Sequence, residues 1–122
     1  MQFALIIYKN AEFWSSIPKI ERERLSESCL AWHAALMAKG TAQAAVRLHD
    51  VGTAATVRGP KPGFTVTDGP FAETKEVLAG IELVECASQA EALALAQTFP
   101  GISHGDTVEV RQMYSDDQKC GH

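Results

Sequence analysis

The feature that most limits the fold is the segment FALIIY at positions 3–8, which is apolar on both faces. A strand with one face in water alternates apolar and polar residues, so this pattern predicts a central strand buried on both sides. The helical period appears in two segments, residues 16–39 and residues 88–99. Because two helices cover one face of one sheet, something else must cover the opposite face.

Local signals define the ends of the two predicted helices. Ser16, followed by Pro18, predicts the start of the first helix, and Gly40 predicts its end. A capping box that begins at Ser88 starts the second helix, which is rich in alanine. The apolar stripe of the first helix consists of Leu25, Cys29, Trp32 and Leu36.

Alternating or apolar runs predict five further strands, and two of them form a hairpin around the loop GPKPG. The five strands span residues 42–49, 53–58, 64–68, 79–86 and 106–114. The order is β-α-β, a hairpin, then β-α-β. We therefore predict an α+β fold of the ferredoxin-like βαββαβ type with an extra β-hairpin, an antiparallel sheet and two helices on one face.

The uncovered face of that sheet predicts a homodimer. A second copy of the chain, packed face to face by two-fold symmetry, is the simplest cover for strands that are apolar on both sides. The length of 122 residues predicts a single domain over residues 1–114. Residues 115–122 are polar and form a predicted C-terminal tail.

Charge and cysteine usage narrow the class of protein further. The net charge is −4 with both signs interspersed, which predicts no direct binding to nucleic acid. No run is long and apolar enough to cross a membrane, and no secretory signal is visible, so we expect a cytoplasmic protein. Cys29 and Cys86 are expected to be small core residues. Cys120 and His122 could both contact a metal, but two ligands do not make a site, and no metal is predicted.

The segment VTDGPFAETKEVLAGIELVE, residues 66–85, resembles the signature of the YCII-related, or DGPF, proteins. The start FALIIYKNAEFW and the segments TAATVRG and GDTVEVRQM are similar to the family as well. The resemblance implies a ferredoxin-like fold that forms a dimeric α+β barrel, in a cytoplasmic bacterial protein. Related YCII proteins carry a histidine and an aspartate in a cleft, and some family members are linked to extracytoplasmic-function sigma factors. No reaction and no cofactor follow from the resemblance.

This sequence departs from the family pattern in two places. Where the family has a glycine and then an aromatic pair, this chain has Ala79 and then Ile81 and Glu82, which implies a more acidic pocket. The histidine of the first helix falls near Cys29, and His33 lies one turn later. The sequence leaves open whether His33 or His49 is the relevant histidine.

Asp68 and His49 are the predicted acid/base residues. Asp68 ends a strand and could orient a histidine or act as a base. Its alternative is an Asx turn, in which the carboxylate accepts backbone N–H groups beside Gly69. His49 lies at a strand end on the same face as Arg47, where it could titrate near neutrality. Its alternative is a plain surface histidine.

The polar segment after the turn supplies the remaining candidates. We expect Phe71 to anchor the start of this segment in the core, so that its charges bind a small ligand or hold the rim of a dimer. The alternative is a solvated face. The predicted ligand-binding residues are Glu73, Lys75, Glu76, Arg47, Glu82 and Trp14.

Three functions fit this sequence. The first is a small-molecule enzyme or binding protein that uses a cleft at the dimer interface. The second is an accessory partner of a sigma factor that acts through protein contacts without catalysis. The third is a structural dimer without chemistry. A cavity with convergent polar groups and a perturbed titratable residue would favour the first.

Overall fold

A computed structural model describes residues 1–60 and 62–118 of the chain. Its main element is a four-stranded antiparallel sheet, and three α-helices and a separate hairpin complete the fold. The strands are β1 (Gln2–Asn10), β2 (Ala42–Arg47), β3 (Ala55–Arg58), β4 (Thr65–Asp68), β5 (Glu76–Glu85) and β6 (Thr107–Gln112). The helices are α1 (Ala11–Ser16), α2 (Lys19–Ala38) and α3 (Gln89–Ala96), with short 3₁₀ helices at Val51–Thr53 and Pro100–His104.

The strand order in the main sheet is β2-β5-β1-β6, and every neighbouring pair is antiparallel. This α+β arrangement is consistent with the predicted ferredoxin-like plan. The apolar run at positions 3–8 lies in β1, which pairs on both sides as predicted for a central strand. Successive side chains along each strand therefore point alternately to the two faces of the sheet.

Both long helices pack on one face of the sheet, which we call the inner face. Phe3 and Leu5 of β1, Val84 of β5, Leu36 of α2 and Ala92 of α3 belong to one buried cluster. Side chains on the opposite, outer face remain partly exposed within the single chain. These outer-face residues include Ala4, Ile6, Ile81 and Leu83.

The first predicted helix is present as α2, and a short helix that was not predicted, α1, precedes it. The Asn10 side chain accepts a hydrogen bond from the Phe13 backbone N–H and caps α1. The chain is extended at Ile17, and Pro18 becomes the N-cap of α2. The prediction that Ser16 caps the long helix is therefore wrong, because the cap lies at Pro18 and Ser16 ends α1. Proline has no backbone N–H to donate and disfavours a helical residue before it, so α1 ends there.

The predicted hairpin is present, but it stands apart from the main sheet. Strands β3 and β4 pair only with each other, and their partners include Val57 opposite Val66. Both of these valines are exposed, and so is Phe71 just after the hairpin, at 77%. The expectation that Phe71 anchors in the core is wrong, because the hairpin carries it away from the buried cluster.

No helix in the described part of the chain is long and apolar enough to cross a membrane. Cys120 and His122, which were considered as metal contacts, lie outside the described residues, as does half of the predicted tail.

Candidate active site

A cavity of about 790 Å³ lies between the inner face of the sheet and the helices α1 and α2. Its floor is formed by the ends of β1, β2 and β5, and its walls include both aromatic and aliphatic side chains. Charged and titratable groups line it: Lys9 of β1, Arg22, Cys29 and His33 of α2, Arg47 of β2, Glu82 of β5, and His49 and Asp50 from the segment after β2. The cavity is of the size that small-molecule sites occupy.

A histidine and a glutamate meet in this cavity. Glu82 lies on β5 at an inner-face position, and its side chain is only 4% exposed. His33 reaches it from α2, and its Nδ1 lies 2.5 Å from Glu82 Oε1. Burial raises the pKa of the Glu82 carboxyl, and the hydrogen bond and charge of His33 oppose that rise.

Contact with an ionised Glu82 would determine which nitrogen of His33 is reactive, because the roles of the two ring nitrogens depend on the tautomer. When Glu82 is ionised, its carboxylate can only accept, so His33 Nδ1 carries the proton that it donates. The neutral imidazole then has its lone pair on Nε2. The His33 side chain is 31% exposed and borders the cavity. This pair can therefore take up or release one proton at Nε2 while Glu82 holds the ring orientation.

A second buried ion pair lies beside the first. Lys9 Nζ is 2.9 Å from Asp106 Oδ2, and the Asp106 side chain is 4% exposed. Lys9 Nζ also lies 4.4 Å from the centre of the Trp14 ring, a cation–π contact. Burial raises the pKa of Asp106, and Lys9 opposes that rise. Lys9 therefore connects the wall of the cavity to a carboxylate behind it.

Cys29 faces the same cavity from α2. Burial raises the pKa of its thiol, while the positive charges of Lys9 and Arg47 act in the opposite direction. A raised pKa keeps the thiol protonated near neutral pH, so Cys29 is an apolar part of the wall.

Gly80 keeps the floor of the cavity open. It pairs with Arg47 of β2 on one side and with Ile7 of β1 on the other. A Cβ added at Gly80 would lie 2.8 Å from the Val46 carbonyl oxygen, which is too close for any side chain. The glycine therefore lets β2 approach β5 and leaves space on the inner face between its two partners.

No group of three or more potential metal ligands occurs among residues 1–60 and 62–118.

The family profile of the YCII-related domain matches residues 1–115, which is most of the chain. The chain belongs to the YCII-related family. An uncharacterized protein from Rhizobium meliloti is 37% identical over 97 residues, covering 80% of this chain and 78% of that relative. This relative supports the assignment and names no reaction.

A solved structure shows that the YCII-related chain shares its fold with an enzyme. It is the 5-chloro-2-hydroxyhydroquinone dehydrochlorinase from Burkholderia phenoliruptrix, in complex with 2,5-dihydroxybenzoquinone. The TM-score is 0.56, and the match covers 93% of this chain and 94% of the enzyme at 15% identity. Identity this low shows the fold alone.

Four of the residues predicted from the sequence line the cavity of this YCII-related chain: Trp14, Arg47, His49 and Glu82. His49 lies just beyond β2, and its Nδ1 accepts a hydrogen bond from the Asp50 backbone N–H at 2.9 Å. Glu82 is the most deeply placed of the four. The predicted role of Glu82 in ligand binding stays a prediction, but its position in the cavity is now defined.

Asp68 lies elsewhere. It is exposed at the end of β4, opposite Ala55, and is not among the residues lining the cavity. Gly69 bends the chain as expected, with a φ of 99°, and its N–H donates to Ala54 O at 2.7 Å. In the described residues no backbone N–H donates to the Asp68 carboxylate, so the expected Asx turn is not formed. The structure does not bring Asp68 to His49, so their joint acid/base role stays a prediction.

The polar segment after the turn is also outside the cavity lining. Glu73 and Lys75 are exposed within the single chain. The Lys75 carbonyl accepts the N–H of Ala11 at 3.1 Å, and Glu76 Oε1 accepts the Thr107 hydroxyl at 2.8 Å. These two bonds fasten the segment to the start of α1 and to β6. Its predicted role at a dimer rim stays a prediction.

Sequence reasoning missed two pairings, His33 with Glu82 and Lys9 with Asp106. One signal for the first was present in the sequence. Glu82 shares a strand face with Gly80 and Val84, where an apolar residue is expected, and His33 follows Cys29 by one helical turn. For Lys9 and Asp106, which are 97 residues apart, we find no such signal.

Proposed function

We propose that this protein is an enzyme that binds a small organic molecule in the cavity and exchanges a proton with it through His33. The observation that carries the proposal is the 2.5 Å contact between His33 and the buried carboxylate of Glu82. A histidine oriented by a carboxylate is a common general acid/base arrangement. Glu82 orients the His33 ring through Nδ1, which leaves Nε2 available to the ligand.

The burial of Glu82 supports a chemical role over a structural one. A carboxylate at an inner-face position of a central strand is disfavoured by desolvation, which is seen as its raised pKa. Perturbed carboxyl groups next to a histidine in a cavity are frequent at functional sites. If the pair served packing alone, a protein with apolar residues at these two positions would be equally stable or more stable.

The structural neighbour supports a class of ligand to test first. That dehydrochlorinase binds 2,5-dihydroxybenzoquinone, a planar ring with polar substituents. The cavity of this chain combines walls from Trp14 and Trp32 with polar groups, which suits a ring of this kind. We therefore propose hydroxylated aromatic or quinonoid rings as the ligand class.

Hydrogen exchange at a ring carbon measures the proposed proton transfer directly. The ring C–H groups of 2,5-dihydroxybenzoquinone exchange with D₂O through proton transfer, and ¹H NMR follows the loss of their signal. We expect the protein to accelerate this exchange and His33→Asn to reduce the acceleration roughly 10²-fold, the usual contribution of general acid–base catalysis. The matched control is His104→Asn, because His104 is exposed outside the cavity.

The imidazole resonances of the protein provide a second measurement. The Cε1–H signal of His33 should shift when the ring binds, while that of His104 should not. If the wild-type protein neither accelerates exchange nor shows the His33 shift with any hydroxylated ring tested, the proposed function is wrong.

We further propose that the outer face of the sheet forms a homodimer, the dimeric α+β barrel implied by the family resemblance. Ile6 of β1 is paired with Ile81 of β5 on that face, and Val46 of β2 is 54% exposed beside them. An apolar sheet face of this kind is usually covered by another subunit. Association with a sigma factor, the alternative from the resemblance, stays a prediction.

A further inference from the structure

Arg47 is a cationic residue of the cavity lining that has no partner within the described part of the chain. The other two cationic side chains in the lining are committed to partners within the chain. Lys9 is paired with Asp106, and Arg22 Nη1 donates to the Ile17 carbonyl at 3.0 Å. In the described part of the chain, the Arg47 guanidinium makes no hydrogen bond and no ion pair.

The register of the sheet directs Arg47 to the same face as the acid/base pair. Arg47 lies opposite Gly80, and Ala45 lies opposite Glu82. Arg47 and Glu82 are therefore diagonal neighbours on the inner face, with Cα atoms roughly 7–8 Å apart. The positive charge of Arg47 also reaches the helix side of the cavity, where it opposes the rise that burial causes in the pKa of the Cys29 thiol.

The negative charge of Glu82 does not neutralise Arg47. In the described residues no salt bridge joins Arg47 to Glu82 or to Asp50, the other carboxylate of the lining, and the Glu82 carboxylate is held by His33 with 4% of its side chain exposed. Gly80 has no side chain to fill the inner face beside Arg47. Space and an unpaired guanidinium therefore occur together in the cavity that His33 also lines.

We infer that the ligand of this cavity carries a carboxylate, and that Arg47 binds this group while the rest of the ring faces His33. This inference rests on the proposed function and names the class of its substrate as a small ring-containing organic acid. The planar fork of arginine suits a carboxylate, to which it donates two parallel hydrogen bonds. The walls contributed by Trp14 and Leu30 suit the ring.

The test compares an acid with its neutral isostere, 4-hydroxybenzoate with 4-hydroxybenzamide, by isothermal titration calorimetry and by the His33 Cε1–H resonance. We expect the wild-type protein to bind the acid about tenfold more tightly than the amide. Arg47→Met should weaken binding of the acid about tenfold and leave binding of the amide within about twofold. Arg47→Lys should retain part of the preference, because it keeps the charge and loses the fork.

The matched control is Arg24→Met, which makes the same change of charge at an exposed position of α2 outside the cavity lining. Arg24→Met should leave both affinities unchanged. The inference is overturned if the wild-type protein binds acid and amide equally, if Arg47→Met weakens both equally, or if Arg24→Met has the same effect as Arg47→Met.

The two proposals fail in different ways. If both compounds shift the His33 resonance with equal affinity, the cavity is a ligand site and only the role of Arg47 is wrong. If neither compound binds or shifts that resonance, the inference about organic acids is overturned. The exchange assay with 2,5-dihydroxybenzoquinone then decides the proposed function separately.

Discussion

Replacing Lys9 with methionine tests how the buried charges of this protein are balanced. Methionine keeps an unbranched apolar stem but removes the charge that pairs with Asp106. The Asp106 side chain is 4% exposed, so its carboxylate would be left buried without a partner. We therefore expect a large loss of stability at neutral pH.

The structure sets the magnitude of this loss. Removing one partner of a fully buried ion pair costs about 3–5 kcal/mol of unfolding free energy. The Lys9 side chain is 22% exposed, so water can reach the vacated position, and the lower figure of about 3 kcal/mol applies. Loss of the contact with Trp14 adds about 0.5–1 kcal/mol. A change of this size lowers the Tm on the order of 10 °C.

Urea unfolding, followed by the fluorescence of Trp14 and Trp32, measures the effect. The double variant Lys9→Met with Asp106→Asn should recover much of the loss, because it buries no charge. Acidic pH should also reduce the effect, since protonation of Asp106 removes the unpaired charge. A loss below about 1 kcal/mol at pH 7, or a double variant no more stable than Lys9→Met, would show that the pairing argument is wrong.

Three further changes test separate parts of the structure. Gly69→Val should cost roughly 1–3 kcal/mol in urea unfolding, because the φ of 99° at Gly69 resists a β-branched residue; an unchanged midpoint would contradict this. Burial raises the pKa of Glu82, so the native state binds its proton more tightly than the unfolded state does. As pH rises from the ordinary carboxyl pKa through the raised one, the unfolding free energy of the wild-type protein should therefore fall relative to that of Glu82→Gln. If the two unfolding free energies change in parallel with pH, this expectation is refuted. Ile6→Lys should dissociate the proposed dimer in sedimentation equilibrium, whereas a monomeric wild-type protein would remove the dimer proposal.

Periodicity predicted most of the fold correctly. The apolar run of β1, the hairpin and the capping box at Ser88 are local signals, and each appears in the structure near its predicted place. The cap of the first long helix was placed two residues early, at Ser16 instead of Pro18, and the short helix α1 before it was not predicted. Phe71 was misplaced because hydrophobicity does not reveal which sheet a hairpin joins.

The site was predicted less completely than the fold. Arg47, His49 and Glu82 could be assigned to a cleft from their strand positions and from the family resemblance. The pairing of His33 with Glu82 could not, because it joins residues 49 positions apart and depends on how α2 crosses the sheet. A sequence pattern gives the face of each element, and the contact between two elements follows only from their packing.

The two buried charged residues of the described core, Glu82 and Asp106, provide the strongest argument for chemistry. Each pairs with a residue that lines the same cavity, and replacing such pairs by apolar residues is often neutral or stabilising. Stability alone therefore does not call for the pair of His33 and Glu82, and the proposed proton transfer would explain it. The variant His33→Leu with Glu82→Met separates the two explanations. We expect it to unfold at the same urea concentration as the wild-type protein or a higher one, and to have lost the acceleration of ring hydrogen exchange. A folded variant that still accelerates exchange at the wild-type rate would assign the proton transfer to another group, and a variant that cannot fold would make the pair structural.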